Sequence, residues 1–234
     1  MMMRLLAVGV CETGGRVLAI EEFGTLSLPV VELSSGDPRD ELKTFFLRSL
    51  GIEVEIGRFF AEKYIENSNE LFLYYLISPL PQLKEAKGVQ WVKETEDNLK
   101  KVDPAKTGEL LLKNAAKEMY KLLDILERTI NRCPWGAKQT AEDALKELVS
   151  EIEEFKAELS MKNRLKASFE VGDIVYDALL LSWLFARDNN INPEDILKKV
   201  NDKISKRKPW LFSERKISLE EAEKLWEYYK SLEN

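Results

Sequence analysis

The first hundred residues alternate short apolar runs with turn residues. The runs at 5–10, 16–20, 54–59 and 70–77 are rich in Leu, Val, Ile and aromatic side chains, which predicts strands. They are punctuated by Gly14-Gly15, by Ser34-Ser35-Gly36-Asp37-Pro38 and by Ser78-Pro79, all breakers of regular structure. A helix is predicted over 39–50, with Leu42, Phe45, Phe46 and Leu50 on its apolar face and Gly51 behind it, where a left-handed C-cap favours glycine. From about Asp103-Pro104 onward the period becomes helical. A helix over 107–131 turns Leu110, Leu111, Ala115, Met119, Leu122, Leu123 and Leu126 inward, and Cys133-Pro134-Trp135-Gly136 breaks it. A second covers 140–159, with Thr140 as N-cap and acid in its first turn. A third covers 164–189. Its centre, 178–186, is apolar nearly all round, which predicts burial on several sides with Trp183 and Phe185 in the core. A fourth opens at Pro193, suited to a first helical turn, and ends before Pro209; a last helix covers 219–232. The chain therefore reads as two domains. Residues 1–100 form an α+β domain and 105–234 an all-α bundle, joined through the charged, polar stretch 93–106.

Composition narrows the chemistry. At 234 residues and 44% hydrophobic content the chain supports a substantial core. It has no apolar run near the ~20 residues a membrane helix needs, and its first residues suit a buried strand better than a signal peptide. Cys11 and Cys133, far apart, argue for a reducing, cytoplasmic setting rather than a disulfide framework. There is no histidine, which removes histidine-based triads, histidine general bases and histidine-ligated zinc together. A net charge of −6 disfavours nucleic acid as a partner.

Two acidic pairs then stand out. Glu151 and Glu154 are three apart on the second predicted helix of the bundle, Glu170 and Asp173 three apart on the next. Residues at that spacing share a helix face, so two antiparallel helices would bring four carboxylates to one place. Such a cluster is unfavourable without a cation between its members. Oxygen ligands select Mg2+, Mn2+ or Ca2+, and the usual client of carboxylate-held Mg2+ is a phosphate. Lys203 and Arg207, four apart, lie in a basic stretch with Lys198, Lys199, Lys206, Lys208, Arg215 and Lys216, which suits a polyanion or simply a solvated helix. Glu147, Glu153 and Glu158 read as solvated charges. Asp177, one turn beyond Asp173, reads equally as a site-edge residue or as a capping or pairing residue.

In order along the chain come Cys133-Pro134-Trp135, Gln139-Thr140, the two acidic pairs, Asn201-Asp202-Lys203, Arg207-Lys208-Pro209 and Leu225-Trp226-Glu227. This ordered set resembles the MazG-type nucleoside triphosphate pyrophosphohydrolases of the all-α NTP pyrophosphatase superfamily, from about residue 110 to the end. The resemblance implies Mg2+-dependent hydrolysis of a nucleoside triphosphate to the monophosphate and pyrophosphate, a nucleotide house-cleaning activity, with Mn2+ as a possible substitute. It implies metal ligands at Glu151, Glu154, Glu170 and Asp173, and phosphate contacts at Lys166, Lys203 and Arg207. Trp226 falls on the tryptophan of the family's last helix, and Trp135 or Trp226 is available to stack on a base. Glu154 is the candidate proton acceptor for the attacking water. The family fold is built from paired subunits, which implies a homodimer or higher homo-oligomer. The family's aspartate after Cys-Pro-Trp is Gly136 here, its histidine after Gln-Thr is Ala141, and its acidic doublets read Ser150-Glu151 and Phe169-Glu170. Phosphoribosyl-ATP pyrophosphohydrolase, of the same superfamily, and a non-catalytic nucleotide-binding or scaffold protein remain alternatives.

The first hundred residues resemble a degenerate Nudix domain, through residues 16–20, Leu28-Pro29, the helix from Arg39, Leu50-Gly51-Ile52-Glu53, Leu73-Tyr74-Tyr75 and Gln90-Trp91-Val92. With Gly51 as the last glycine of the Nudix box, the box's other fixed glycine and polar positions are Val30, Gly36, Thr44, Phe45, Arg48 and Ser49. None of its glutamates is present, so the resemblance implies a module without Nudix chemistry.

Overall fold

A computed structural model describes residues 3–22, 24–34, 36–84, 86–104, 110–112, 114–214 and 216–232. The chain forms two compact units, Met1–Ile125 and Leu126–Asn234. The first is built on a mixed sheet. Its long first strand β1 (Arg4–Thr13) pairs in parallel with β6 (Glu70–Ile77), and antiparallel with β2 (Arg16–Glu22) and with β4 (Val30–Glu32). Strand β5 (Ile56–Ile65) flanks β6. On the other side β2 carries β3 (Thr25–Ser27) and β7 (Val89–Lys93), and β3 pairs in parallel with β8 (Val102–Asp103).

Strand β1 reads as an unbroken apolar run because both of its faces are covered, and alternate side chains go to opposite faces. Leu6, Val8 and Val10 join a core with Phe60, Phe72, Tyr74 and Leu111. Cys11 points the other way, into a cluster with Leu18, Ile77 and Phe46. Phe46 comes from α1 (Pro38–Leu50), which is capped by the Asp37 side chain and closed by Gly51 at φ 68°, as its sequence predicts. Phe45 and Phe46 meet edge to face, ring centroids 5.9 Å apart. A one-turn helix α2 (Glu96–Leu99) precedes β8. Strands β3, β4 and β8 lie outside the predicted runs: at two or three residues each, they are too short for periodicity to register.

The first unit runs past residue 100, further than its sequence suggests. Leu111 is buried in the sheet core, Tyr120 packs against it, and Lys117 reaches Glu12 on β1. The helix expected over 107–131 is described as α3 (Ala115–Arg132). Asn114 caps its start, its side chain accepting from the Lys117 amide and donating to the Leu110 carbonyl; the expected start at Thr107 lies outside the described residues. Leu111 and Leu126 are inward as predicted, but Met119 is 43% exposed and Lys117 is 1% exposed. The lysine is tolerated because its ammonium meets Glu12 at 2.5 Å, the Leu111 carbonyl at 2.6 Å and Glu118 at 3.2 Å, which offsets its desolvation.

In the second unit α4 (Ala141–Ser160) and α5 (Arg164–Asp188) form a tight helical hairpin. Thr140 and Asp143 close a full capping box on α4, and Asn163 caps α5. Leu180, Trp183, Leu184 and Ala186 of α5 are buried. Phe185 is 46% exposed, contrary to its predicted place in the core, because it falls on the opposite face from Leu180 and Leu184. Helices α6 (Pro193–Arg207) and α7 (Leu219–Ser231) complete the unit. Among the described residues no helix is long and apolar enough to cross a membrane.

Candidate functional site

The hairpin places acid against acid. Residues 151, 154 and 158 lie along one face of α4, and 166, 170, 173 and 177 along one face of α5, as spacings of three and four require. Glu151, Glu154 and Glu170 each offer a carboxylate oxygen, and these oxygens lie within 4.8 Å of one another. Asp173, the fourth predicted ligand, is exposed and outside this closest group, but its charge reaches Glu151. Burial first, then the charges of Glu154, Asp173, Asp177 and Glu170, push the Glu151 carboxyl above the usual glutamate range. Ser150 donates to Glu154 at 3.5 Å.

The donor set fits a hard divalent ion. Opposite oxygens around Mg2+ stand about 4.2 Å apart, and around Ca2+ about 4.8 Å. Three oxygens on one ion cannot all be opposite, and neighbouring ones around octahedral Mg2+ stand about 3 Å apart, so the carboxylates, now within 4.8 Å of one another, would draw together by about 1–2 Å to share it; Glu154, being exposed, is free to move.

Lys166 and Glu158 correct the sequence reading together. Glu158, taken as solvated, has a side chain only 15% exposed and lies 3.8 Å from the Lys166 ammonium. Its Oε2 is sealed from solvent and accepts no hydrogen bond. Lys166, its side chain 65% exposed, therefore has an acidic neighbour in Glu158 at the Glu170 end of the acidic face, a pairing no spacing rule suggests. At the other end Asp177 is buried, 8% exposed. Burial, then the charges of Glu147 and Asp173, push its carboxyl up. Glu147 and Glu153 are exposed as expected.

Lys203 and Arg207 sit on α6, Lys203 exposed and Arg207 half-buried. The Arg207 guanidinium lies 5.3 Å from the Trp226 ring centre and the Lys208 ammonium 5.2 Å from it, both within cation–π range. Trp226 also lines an open groove of about 430 Å3 with Lys208, Trp210, Leu211, Ala222, Glu223 and Glu227. Trp210 was not singled out from sequence; its place beside Pro209 was the available signal. Arg215 lies outside the described residues. Trp135 is 52% exposed and available for stacking. Gly136 is a steric necessity: a Cβ there would stand 2.1 Å from the Thr129 carbonyl oxygen, so the aspartate of the resembled pattern has no room.

Residues 139–212 match the MazG nucleotide pyrophosphohydrolase domain. A MazG-related protein from Thermotoga maritima is 48% identical, spanning 47% of this chain and 97% of its own, with a TM-score of 0.45. Two further structures are also similar. A MutT Nudix hydrolase from Burkholderia pseudomallei is 20% identical over 49% of this chain and 99% of its own, TM-score 0.36. An ADP-ribose pyrophosphatase from Streptococcus suis is 17% identical over 50% of this chain and 87% of its own, TM-score 0.35. None of the curated proteins matches the chain.

Proposed function

We propose, from the premise that this chain belongs to the MazG family through its C-terminal half, that it hydrolyses nucleoside triphosphates to nucleoside monophosphate and pyrophosphate with Mg2+ or Mn2+. The observation that carries this reading is the convergence of Glu151, Glu154 and Glu170 from two helices of the matched segment. With Asp173 beside them, these carboxylates would hold the ion, which when bound neutralises phosphate oxygens and acidifies a water. The remaining work falls to the chain's own groups. Glu154, the most exposed of the three, accepts the proton of the attacking water. Lys166, beside Glu158, and Lys203 with Arg207 bind phosphate oxygens. Trp226, with cations over its ring, holds Arg207 in place, leaving the exposed Trp135 for the base.

Incubation with each NTP and dNTP, with and without Mg2+, tests the reading. Pyrophosphate and monophosphate should appear only with the ion. Release of orthophosphate and diphosphate, or no turnover of any nucleotide, refutes it. The exposed Leu145 and Val149 of α4 and Leu165, Phe169, Val175 and Phe185 of α5 suit burial against a second copy, and sedimentation should report a dimer or larger assembly. The sheet unit takes a non-catalytic part. On α1 the metal-binding glutamate positions of a Nudix box carry Phe45, Arg48 and Ser49, none of them a carboxylate, and Phe45 is spent on packing.

A further inference from the structure

Asp177 has no structural partner. It is 8% exposed, lies well inside α5 rather than at its cap, and makes no hydrogen bond or ion pair with any described residue. The sequence left it between capping, pairing and a place in the site; the first two are not what the structure holds. Most of the residue is covered, but neither carboxylate oxygen is sealed from solvent, so an acceptor is left open to a donor from outside. Its nearest charges are Glu147 and Asp173, both acidic, so a phosphate is repelled from it.

The face of α5 is graded. Lys166, with Glu158 beside it, marks the basic end. Glu170 belongs to the carboxylate group one turn on, and Asp177 lies two turns past Glu170, about 10 Å along the axis. A triphosphate engaged by the ion and by Lys166 at one end directs its nucleoside toward the other. The geometry points to Asp177 as a specificity-determining residue that accepts a hydrogen bond from a neutral donor on the nucleoside, a sugar hydroxyl or a base N–H. This rests on the triphosphate reading above. A neutral donor satisfies the carboxylate without adding charge to a crowded acidic face, and a buried acceptor built for a donor discriminates strongly against substrates lacking it.

The test compares the intact wild-type protein with Asp177→Ala and Asp177→Asn in two series: ribo-, 2′-deoxy-, 3′-deoxy- and 2′,3′-dideoxynucleoside triphosphates of one base, and the four bases on one sugar. Asp177→Ala should lower kcat/KM by about 10- to 100-fold for substrates carrying the donor and leave those without it unchanged. Affinity for non-hydrolysable analogues, measured by calorimetry, should follow the same split. A loss that tracks the sugar series assigns a hydroxyl, and one that tracks the base series assigns a base N–H. Melting temperature supplies the second readout: either substitution removes a charge that Glu147 and Asp173 repel, so both should hold or raise it. An equal loss for every nucleotide and for inorganic tripolyphosphate overturns the proposal, as does loss of a bound Mn2+ in Asp177→Asn, or a lowered melting temperature accompanied by uniform inactivation. Wild-type protein that cleaves no nucleotide sinks the underlying activity instead, a result distinct from active protein indifferent to Asp177.

Discussion

Replacing Glu151 with Gln should make the metal-free protein more stable and the Mg2+-loaded protein less so. Glu151 is half-buried, with Glu154 and Glu170 oxygens within 4.8 Å. Two unit charges at that separation repel by about 1 kcal/mol with the screening of bulk water and about 3 kcal/mol at the dielectric of a protein surface. Exposed Glu154 swings outward and salt screens the rest, so the net relief is roughly 1–2 kcal/mol. That corresponds to a rise of roughly 2–6 °C in the melting temperature of a chain this size. Mg2+ at about a hundred times its dissociation constant contributes about 2.7 kcal/mol to the wild type, and most of this is lost without Glu151. The two melting temperatures should therefore exchange order as Mg2+ is added. Calorimetric scans of both proteins, with chelator and with Mg2+, measure this directly. If Glu151→Gln melts lower without metal, or if both proteins gain equally from Mg2+, the cluster is not a cation site.

The same cluster sets a pH dependence. The Glu151 carboxyl is raised in the folded state, so the folded chain binds that proton more tightly than the unfolded chain. Its contribution to stability is present below the ordinary glutamate pKa and lost as pH rises through the raised value; metal-free wild type should weaken across that window, Glu151→Gln should not, and Mg2+ affinity should climb over the same range. Lys203→Ala and Arg207→Ala should each weaken binding of a non-hydrolysable triphosphate about 10-fold or more with little change in melting; unchanged calorimetric affinity would remove them from the site. Lys117→Met strands Glu12, 2% exposed, with Lys121 at 2.9 Å as its remaining ion-pair partner. It should cost roughly 2–4 kcal/mol in urea unfolding, and Glu12→Gln on top of it should recover part of the loss. The full chain carrying Glu154→Gln should turn over neither nucleoside triphosphates nor ADP-ribose, because the sheet unit supplies no second set of metal ligands on α1; ADP-ribose cleavage by this variant would show otherwise.

The elements legible in the sequence were those with many turns or many alternations. Helices α4 to α7 fell close to their predicted bounds because Thr140, Asn163, Asn192 and Ser218 mark their starts chemically. The pairing of Glu151 and Glu154 with Glu170 was legible because helical spacing fixes a face and a short turn fixes the partner. Lys117 was not legible: its burial depends on Glu12, 105 residues away, and no local pattern carries that information. Glu158 escaped for the same reason, since only the folded hairpin brings Lys166 beside it. Phe185 shows the opposite error, an apolar residue assigned inward where the helix face points out.

The connection between α4 and α5 is a ruler for the site. Three residues, Met161, Lys162 and Asn163, join the two helices, with Lys162 at φ 57° and Asn163 closing the cap. A residue inserted inside α5 between this cap and Glu170 would turn everything after it by about 100° and shift it by about 1.5 Å. One insertion would swing Glu170, Asp173 and Asp177 away from Glu151 and Glu154 while leaving every acidic residue in the sequence. A single-residue insertion between Arg164 and Glu170 is thus a sharper lesion than many substitutions in the helices themselves. Over evolutionary time this hairpin can drift in composition far more freely than in length, and where its length does change, the acidic pairs must move with it.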